Sequence, residues 1–250
     1  MKIKTIITGI ILCQGISFLM GEENITVDEI LDAMGANLYA KSRVLTSKMI
    51  VHGRRSSRTI ESRNWVVGID MAFTEYLAPP REAGTKMLKN GDKLWTYSPQ
   101  TDRVIQISGH MLRQPVMGSD MSYNDMMEDK PLTEMYEATI EGIEMIDGRK
   151  HWILFLNARV TGLSYPKRRA WVDAEYFLPM REELYAKSGK LLKSSSMDGI
   201  KKVQGRWFPT RIIFRDELKR NSKGTEWIID DIEFDVKISD SRFSKALLRK

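Results

Sequence analysis

Cysteine is almost absent from this chain: its 250 residues carry one, Cys13. A single thiol can close no disulfide within the chain, and the paired spacings of thiolate zinc sites are missing. Histidine is scarce too. His52, His110 and His151 stand far apart, and none opens an H-E-x-x-H helix. The chain has no G-x-S-x-G elbow, and no glycine-rich loop opens a helix after a strand to cradle phosphate. Adjacent carboxylates occur at Glu182-Glu183 and Asp230-Asp231, but neighbours on a strand point to opposite faces and cannot share one substrate atom. No catalytic constellation, metal site or cofactor motif emerges. The expectation is a protein that binds and is not an enzyme.

Long hydrophobic runs are lacking as well. A membrane-spanning helix takes about 20 apolar residues, whereas the run at 6–12 is short and follows Lys2 and Lys4 in "MKIKTIITGIILCQGISFLMG". That is the layout of a secretory signal peptide. Cleavage is expected near Gly21, making 1–21 the signal and 22–250 a single domain; the alternative is a retained N-terminal anchor. A lipid-anchor signal wants a small residue before its cysteine, and Leu12 stands there instead. Simple export to the periplasm is therefore the better reading. The net charge of +6, about +4 without Lys2 and Lys4, suits a nucleic acid or an anionic membrane surface. Export argues against nucleic acid. The basic groups, at Arg54, Arg55 and Arg58, at 167–169 and at Lys201 and Lys202, are, each taken alone, better explained as solvated strand and turn positions.

What is present is patterned. In "ITVDEILDAMGANLYAK", Thr26 and Glu29 have capping-box spacing, and Val27, Leu31, Met34 and Leu38 form one apolar stripe. This predicts an amphipathic helix packed on a sheet. From Thr46 onward, short segments rich in β-branched and aromatic residues alternate with turn residues. Strands are expected at 48–52, 58–67, 137–146, 152–158, 169–174, 180–186, 207–215 and 226–238, with turns at 147–148, 188–189 and 198–199. In "LKNGDKLWTYSPQTDRVIQI", Asn90-Gly91 signals a type I′ hairpin. That loop pairs Leu88 with Lys93, and it places Leu88, Trp95 and Tyr97 on one face and Met87 and Leu94 on the other.

About ten to thirteen strands result, more than one flat sheet holds before curling. The fold class is mainly β with a few helices. "WILFLNA" directs Trp152, Leu154 and Leu156 one way and Ile153 and Phe155 the other, so both faces need cover. Between Met111 and Met135 the alternation fails, and six methionines crowd a loop with a short helix expected over 123–127. That segment is either an adaptable apolar surface or a loop with core-filling methionines. The ending "DSRFSKALLRK" predicts a short docking helix capped by Asp240, with Phe243 and Leu247 facing inward.

Three stretches carry a resemblance. "NGDKLWTYSPQTDRV", "RRAWVDAEYFLPMREELYAKSGKL" and "DIEFDVKISDSRFS", in this order, resemble the LolA-like outer-membrane lipoprotein-sorting proteins. The resemblance spans about Thr26 to Leu248. It implies a strongly curved antiparallel sheet forming an unclosed β-barrel, helices on its concave side, and a hydrophobic cavity carrying lipoprotein acyl chains across the periplasm. The mature chain is longer than the minimal carrier of that family.

On this basis Trp95, Tyr97, Trp152, Leu154, Leu156, Trp171, Met121 and Met126 are candidate cavity residues, each with an ordinary core role as the alternative. The implied partners are acyl chains of lipoproteins or lipids, an inner-membrane transporter and an outer-membrane acceptor, with the protein itself a monomer. The other functional reading is a lipid-sensing module that regulates an envelope membrane protein, as in RseB.

Overall fold

Alternating apolar side chains dictate strands along most of the chain. The computed structural model describes residues 25–128, 130–220 and 222–250, and among them places thirteen strands in one antiparallel sheet. The expected signal peptide, 1–21, lies outside the described residues. β1 (Ser42–His52), β2 (Ser57–Val67), β3 (Met71–Ala78), β4 (Lys86–Asn90), β5 (Lys93–Ser98) and β6 (Arg103–Ile107) meander from β1 out to one edge. β7 (Tyr136–Ile146), β8 (Arg149–Ala158), β9 (Lys167–Asp173), β10 (Pro179–Tyr185), β11 (Leu191–Val203), β12 (Arg206–Asp216) and β13 (Thr225–Phe234) start at the other edge and meander back, so that β13 pairs with β1. The edges β6 and β7 are not paired with each other, and the barrel stays unclosed.

This order fixes what covers the concave side. Residues 108–135 join one edge of the sheet to the other, so they must cross a face. They do so through two 3-10 turns, α2 (Tyr123–Met127) and α3 (Leu132–Met135). The N-terminal helix α1 (Val27–Leu38) covers the rest of that face. Its capping box is formed: the Glu29 amide donates to Thr26 Oγ1 at 3.3 Å, and the Thr26 amide donates to the Glu29 carboxylate at 2.8 Å. Ile30, Leu31 and Met34 are buried against Trp152, Leu154, Leu156, Ala170 and Val172. Cross-strand pairing carries this face through the sheet. Leu154 lies opposite Ala170, Ala170 opposite Glu182, and Glu182 opposite Ser195. Two residues along, Met197 meets Ile212, Ile212 meets Trp227, Trp227 meets Met49, and Met49 meets Ile60.

Several expectations need correction. The hairpin loop is Gly91-Asp92, with φ of 59° at Gly91, and Leu88 pairs with Trp95 rather than Lys93. Asp198-Gly199 is no turn: β11 runs through it in unbroken register with β12, Gly199 at φ 64° between the Asp198–Arg211 and Ile200–Pro209 pairs, and the true turn is Gln204-Gly205. β3 and β11 were missing from the expected segments, because their polar positions hide the alternation. The docking helix is two 3-10 turns, Asp240–Phe243 and Lys245–Arg249, which bury Phe243 and Leu248 instead of Phe243 and Leu247. They cover the convex face over Trp65, Phe73, Leu88 and Trp95.

Candidate functional site

Between the sheet and the crossing segment lies a hollow of about 220 Å³. Leu45, Met49, Ile60 and Tyr76 form its apolar floor, Trp227 a wall, and Val116, Met121 and Met126 its roof. A polar ladder runs along the floor. Ser47 and Ser62 hydroxyls meet at 3.2 Å, Asn64 donates to Ser62 at 3.2 Å, and Thr74 donates to Asn64 Oδ1 at 2.8 Å. These groups satisfy one another, and the charged residues Arg43, Lys89 and Asp125 also border the otherwise largely apolar lining. Two further hollows adjoin, of about 190 Å³ and 140 Å³. Arg43, Leu45 and Trp227 line both the first and the second, and Tyr39 lines both the second and the third. The three form a trough between α1, the roof and the sheet.

Polar anchors hold the roof down. The Asp120 amide donates to Thr225 Oγ1 at 2.9 Å, the Thr225 hydroxyl donates back to Asp120 Oδ2 at 3.1 Å, and Lys219 donates to Asp120 Oδ1 at 2.7 Å. Arg58 donates to the Met117 carbonyl, and Asn124 to Ser164 Oγ at 2.7 Å. Asp125 accepts from the Tyr165 hydroxyl at 2.7 Å and from Lys193. Burial pushes the Asp125 carboxyl up, but the Lys193 ammonium and the surrounding donors outweigh it and hold the group below the usual carboxylate range. Burial and the same carboxylate drive Tyr165 well above the ordinary phenol range, so it remains a donor. On the same face of the sheet, in β10, burial raises Glu182 despite Arg168 and the Ser195 hydroxyl beside it.

A family model described as "-like: Uncharacterized protein" matches residues 68–250. Three solved structures are similar throughout. A putative outer membrane lipoprotein-sorting protein domain from Vibrio parahaemolyticus has a TM-score of 0.78 at 23% identity, covering 89% of this chain and 97% of its own. A DUF1329 family protein from Desulfovibrio piger gives 0.78 at 22%, covering 88% and 96%. A LolA superfamily protein from Nitrosomonas europaea gives 0.73 at 23%, covering 89% and 99%. The chain belongs to the family so matched, and its fold is LolA-like. No curated protein matches it.

The sequence-derived candidates distribute over this LolA-like sheet in three groups. Met121 and Met126 line the first hollow. Trp152, Leu154 and Leu156 share its face but are buried beneath α1, at 7%, 0% and 1% exposure, with Trp152 packed on the Phe177 ring. Trp95 and Tyr97 are on the convex face, as is Trp171. Trp95 lies under Lys245, with Tyr97 in the same cluster. Trp171 lies under Arg181 and donates to Glu144 at 2.7 Å. Met111, Met117, Met126 and Met127 of the crossing segment also pack on Ile60, Met87 and Leu94.

Sequence reasoning missed the floor residues Leu45, Ile60 and Tyr76 and the anchors Asp120 and Thr225. Their partners are 105 residues apart in the case of Asp120 and Thr225, and only register brings them together. It also missed a row on the convex face, where His52 Nδ1 meets Ser57 Oγ at 2.8 Å and Nε2 meets Glu226 at 2.6 Å, with Arg211 on the same carboxylate at 2.8 Å. Arg211 and His52 hold Glu226 below its usual range. The row faces away from the hollow and joins the ends of β1, β2 and β13. Among the described residues, no group of three His, Cys, Asp or Glu side chains is arranged to hold a metal ion.

Proposed function

We propose that this LolA-like protein is a periplasmic carrier that shelters acyl chains of lipoproteins or lipids in the trough and delivers them toward the outer membrane. The apolar hollow under a methionine-bearing, polar-anchored roof is the observation that carries this reading. At roughly 30 Å³ per heavy atom, the first hollow of about 220 Å³ admits about seven methylenes. Each is worth about 0.8 kcal/mol, so a tail gains about 6 kcal/mol before the cost of association is subtracted. That gain is useful but weak for a single short tail. A longer chain therefore extends into the adjoining hollows, and the flexible methionine side chains adjust to it.

Carriage of this kind needs no catalytic group; it needs a donor and an acceptor. An inner-membrane transporter and an outer-membrane acceptor fill these roles in our reading. Native mass spectrometry of the purified protein, followed by extraction, tests it, with co-purifying lipid and saturable uptake of a fluorescent acyl probe expected. Absence of both contradicts carriage. Turnover of lipid esters would instead favour an enzyme, and tight stoichiometric binding to a membrane protein without cargo transfer would favour a sensor.

A further inference from the structure

Meandering strands place eleven hairpin loops at two opposite rims of the sheet, and the charges divide between them. At the rim marked by the His52 end of β1, the six loops 53–56, 79–85, 99–102, 159–166, 186–190 and 217–224 hold nine basic and three acidic residues. At the other rim, the five loops 68–70, 91–92, 147–148, 174–178 and 204–205 hold four acidic residues and no basic one. The sequence showed only a modest net charge; pairing of the strands sorts the charges of the hairpin loops by rim.

The basic rim has a second property. Exposed apolar side chains sit within it: Leu218 is 53% exposed and Val160 40%, both inside basic loops, and Leu77 is 49% exposed at the adjoining end of β3. Arg54, Arg55, Arg220 and Lys223 are exposed beside them. We infer that this rim docks on an anionic bilayer surface, with the arginines and lysines at the headgroups and Leu218 and Val160 dipping between them. Basic residues interleaved with exposed apolar ones are what an interfacial site requires. An acidic protein partner would more naturally meet a concave or compact basic patch than a rim spread over six loops. The inference does not depend on acyl-chain carriage, since an empty protein docks in the same way.

Co-sedimentation of the protein with vesicles tests it. Binding is expected to vesicles of phosphatidylcholine with phosphatidylglycerol, to weaken with salt, and to be lost on pure phosphatidylcholine. Each basic residue near such a surface contributes about a fivefold factor, so the double variant Arg54→Gln/Arg220→Gln is expected to bind about 25-fold more weakly. The matched variant Lys41→Gln/Lys237→Gln, with the same charge change at the far end, keeps its binding. Equal loss in both variants would reduce the effect to net charge and overturn the assignment of the rim. Absence of vesicle binding by the unaltered protein would overturn it as well, and retention on polyglutamate in its place would assign the rim to an acidic protein. A failed acyl-probe assay alongside intact vesicle binding would remove the carrier reading and leave this one standing.

Discussion

Replacing Ala72 by phenylalanine separates a real hollow from a packed core, because the two give opposite signs. Ala72 lies in the wall of the first hollow, opposite Lys89 and Val66. The substitution adds six carbons, at most roughly 180 Å³ by the liquid-water share per heavy atom, to a space of about 220 Å³. Room for about seven methylenes falls to one or two, a loss of about 4 kcal/mol of burial for a tail confined there. Affinity for an acyl probe is then expected to fall by up to about a thousandfold, and by less to the extent that the tail reaches the adjoining hollows. Stability should hold or rise, since a void is being filled. In a densely packed interior the same insertion costs about 1–3 kcal/mol. Thermal unfolding and probe titration of the same sample read both effects. A lower melting temperature with unchanged probe affinity would refute the reasoning.

Three other outcomes follow from the geometry. Asp125 lies below its ordinary range only while it touches Lys193 and Tyr165, so its contribution to closing the roof is complete above about pH 4 and fades as pH falls through the lower closed-state value. Protection factors of the amides across 116–127, taken relative to the intrinsic exchange rate at each pH, should fall on acidification, and Asp125→Asn should flatten that dependence. Leu154→Ala, fully buried beneath α1, should cost about 2–5 kcal/mol in denaturant unfolding, whereas a residue lining an open cavity would cost far less. Gly199→Ala places a Cβ 2.4 Å from Thr210 Oγ1 at φ 64°, so a penalty of at least about 1–2 kcal/mol is expected, read as a drop of about 2–4 °C per kcal/mol; an unchanged melting temperature would contradict this left-handed, crowded backbone position.

How far the fold could be read in advance differed from element to element, for physical reasons. The capping box at Thr26 and Glu29 and the turn of α2 are written in neighbouring residues, and both formed where expected. Strand facing survived even where the hairpin did not. Moving the partner of Leu88 from Lys93 to Trp95 is a shift of two residues, and a period of two leaves every side chain on its own face. What parity cannot say is which face of the sheet is concave. Trp95, Tyr97 and Trp171 are as apolar as any lining residue, yet they lie on the convex face beneath the C-terminal turns or under arginine. Trp152, Leu154 and Leu156 face the proper side, but α1 occupies it. The hollow itself lies where Met49, Ile60 and Trp227 are brought together by pairing of β1 with both β2 and β13. That is long-range information absent from any local pattern.

The central claim is that a hydrocarbon tail enters the space beneath the crossing segment. Methyl NMR of methionine-labelled protein during titration with a short acyl probe tests it most directly, because Met49, Met121 and Met126 line that space while Met145, 63% exposed on the edge strand β7, lies outside it. The account predicts saturable shifts at the first three methyls and an unmoved Met145 signal. Shifts confined to Met145, or none at any of the four, would contradict it.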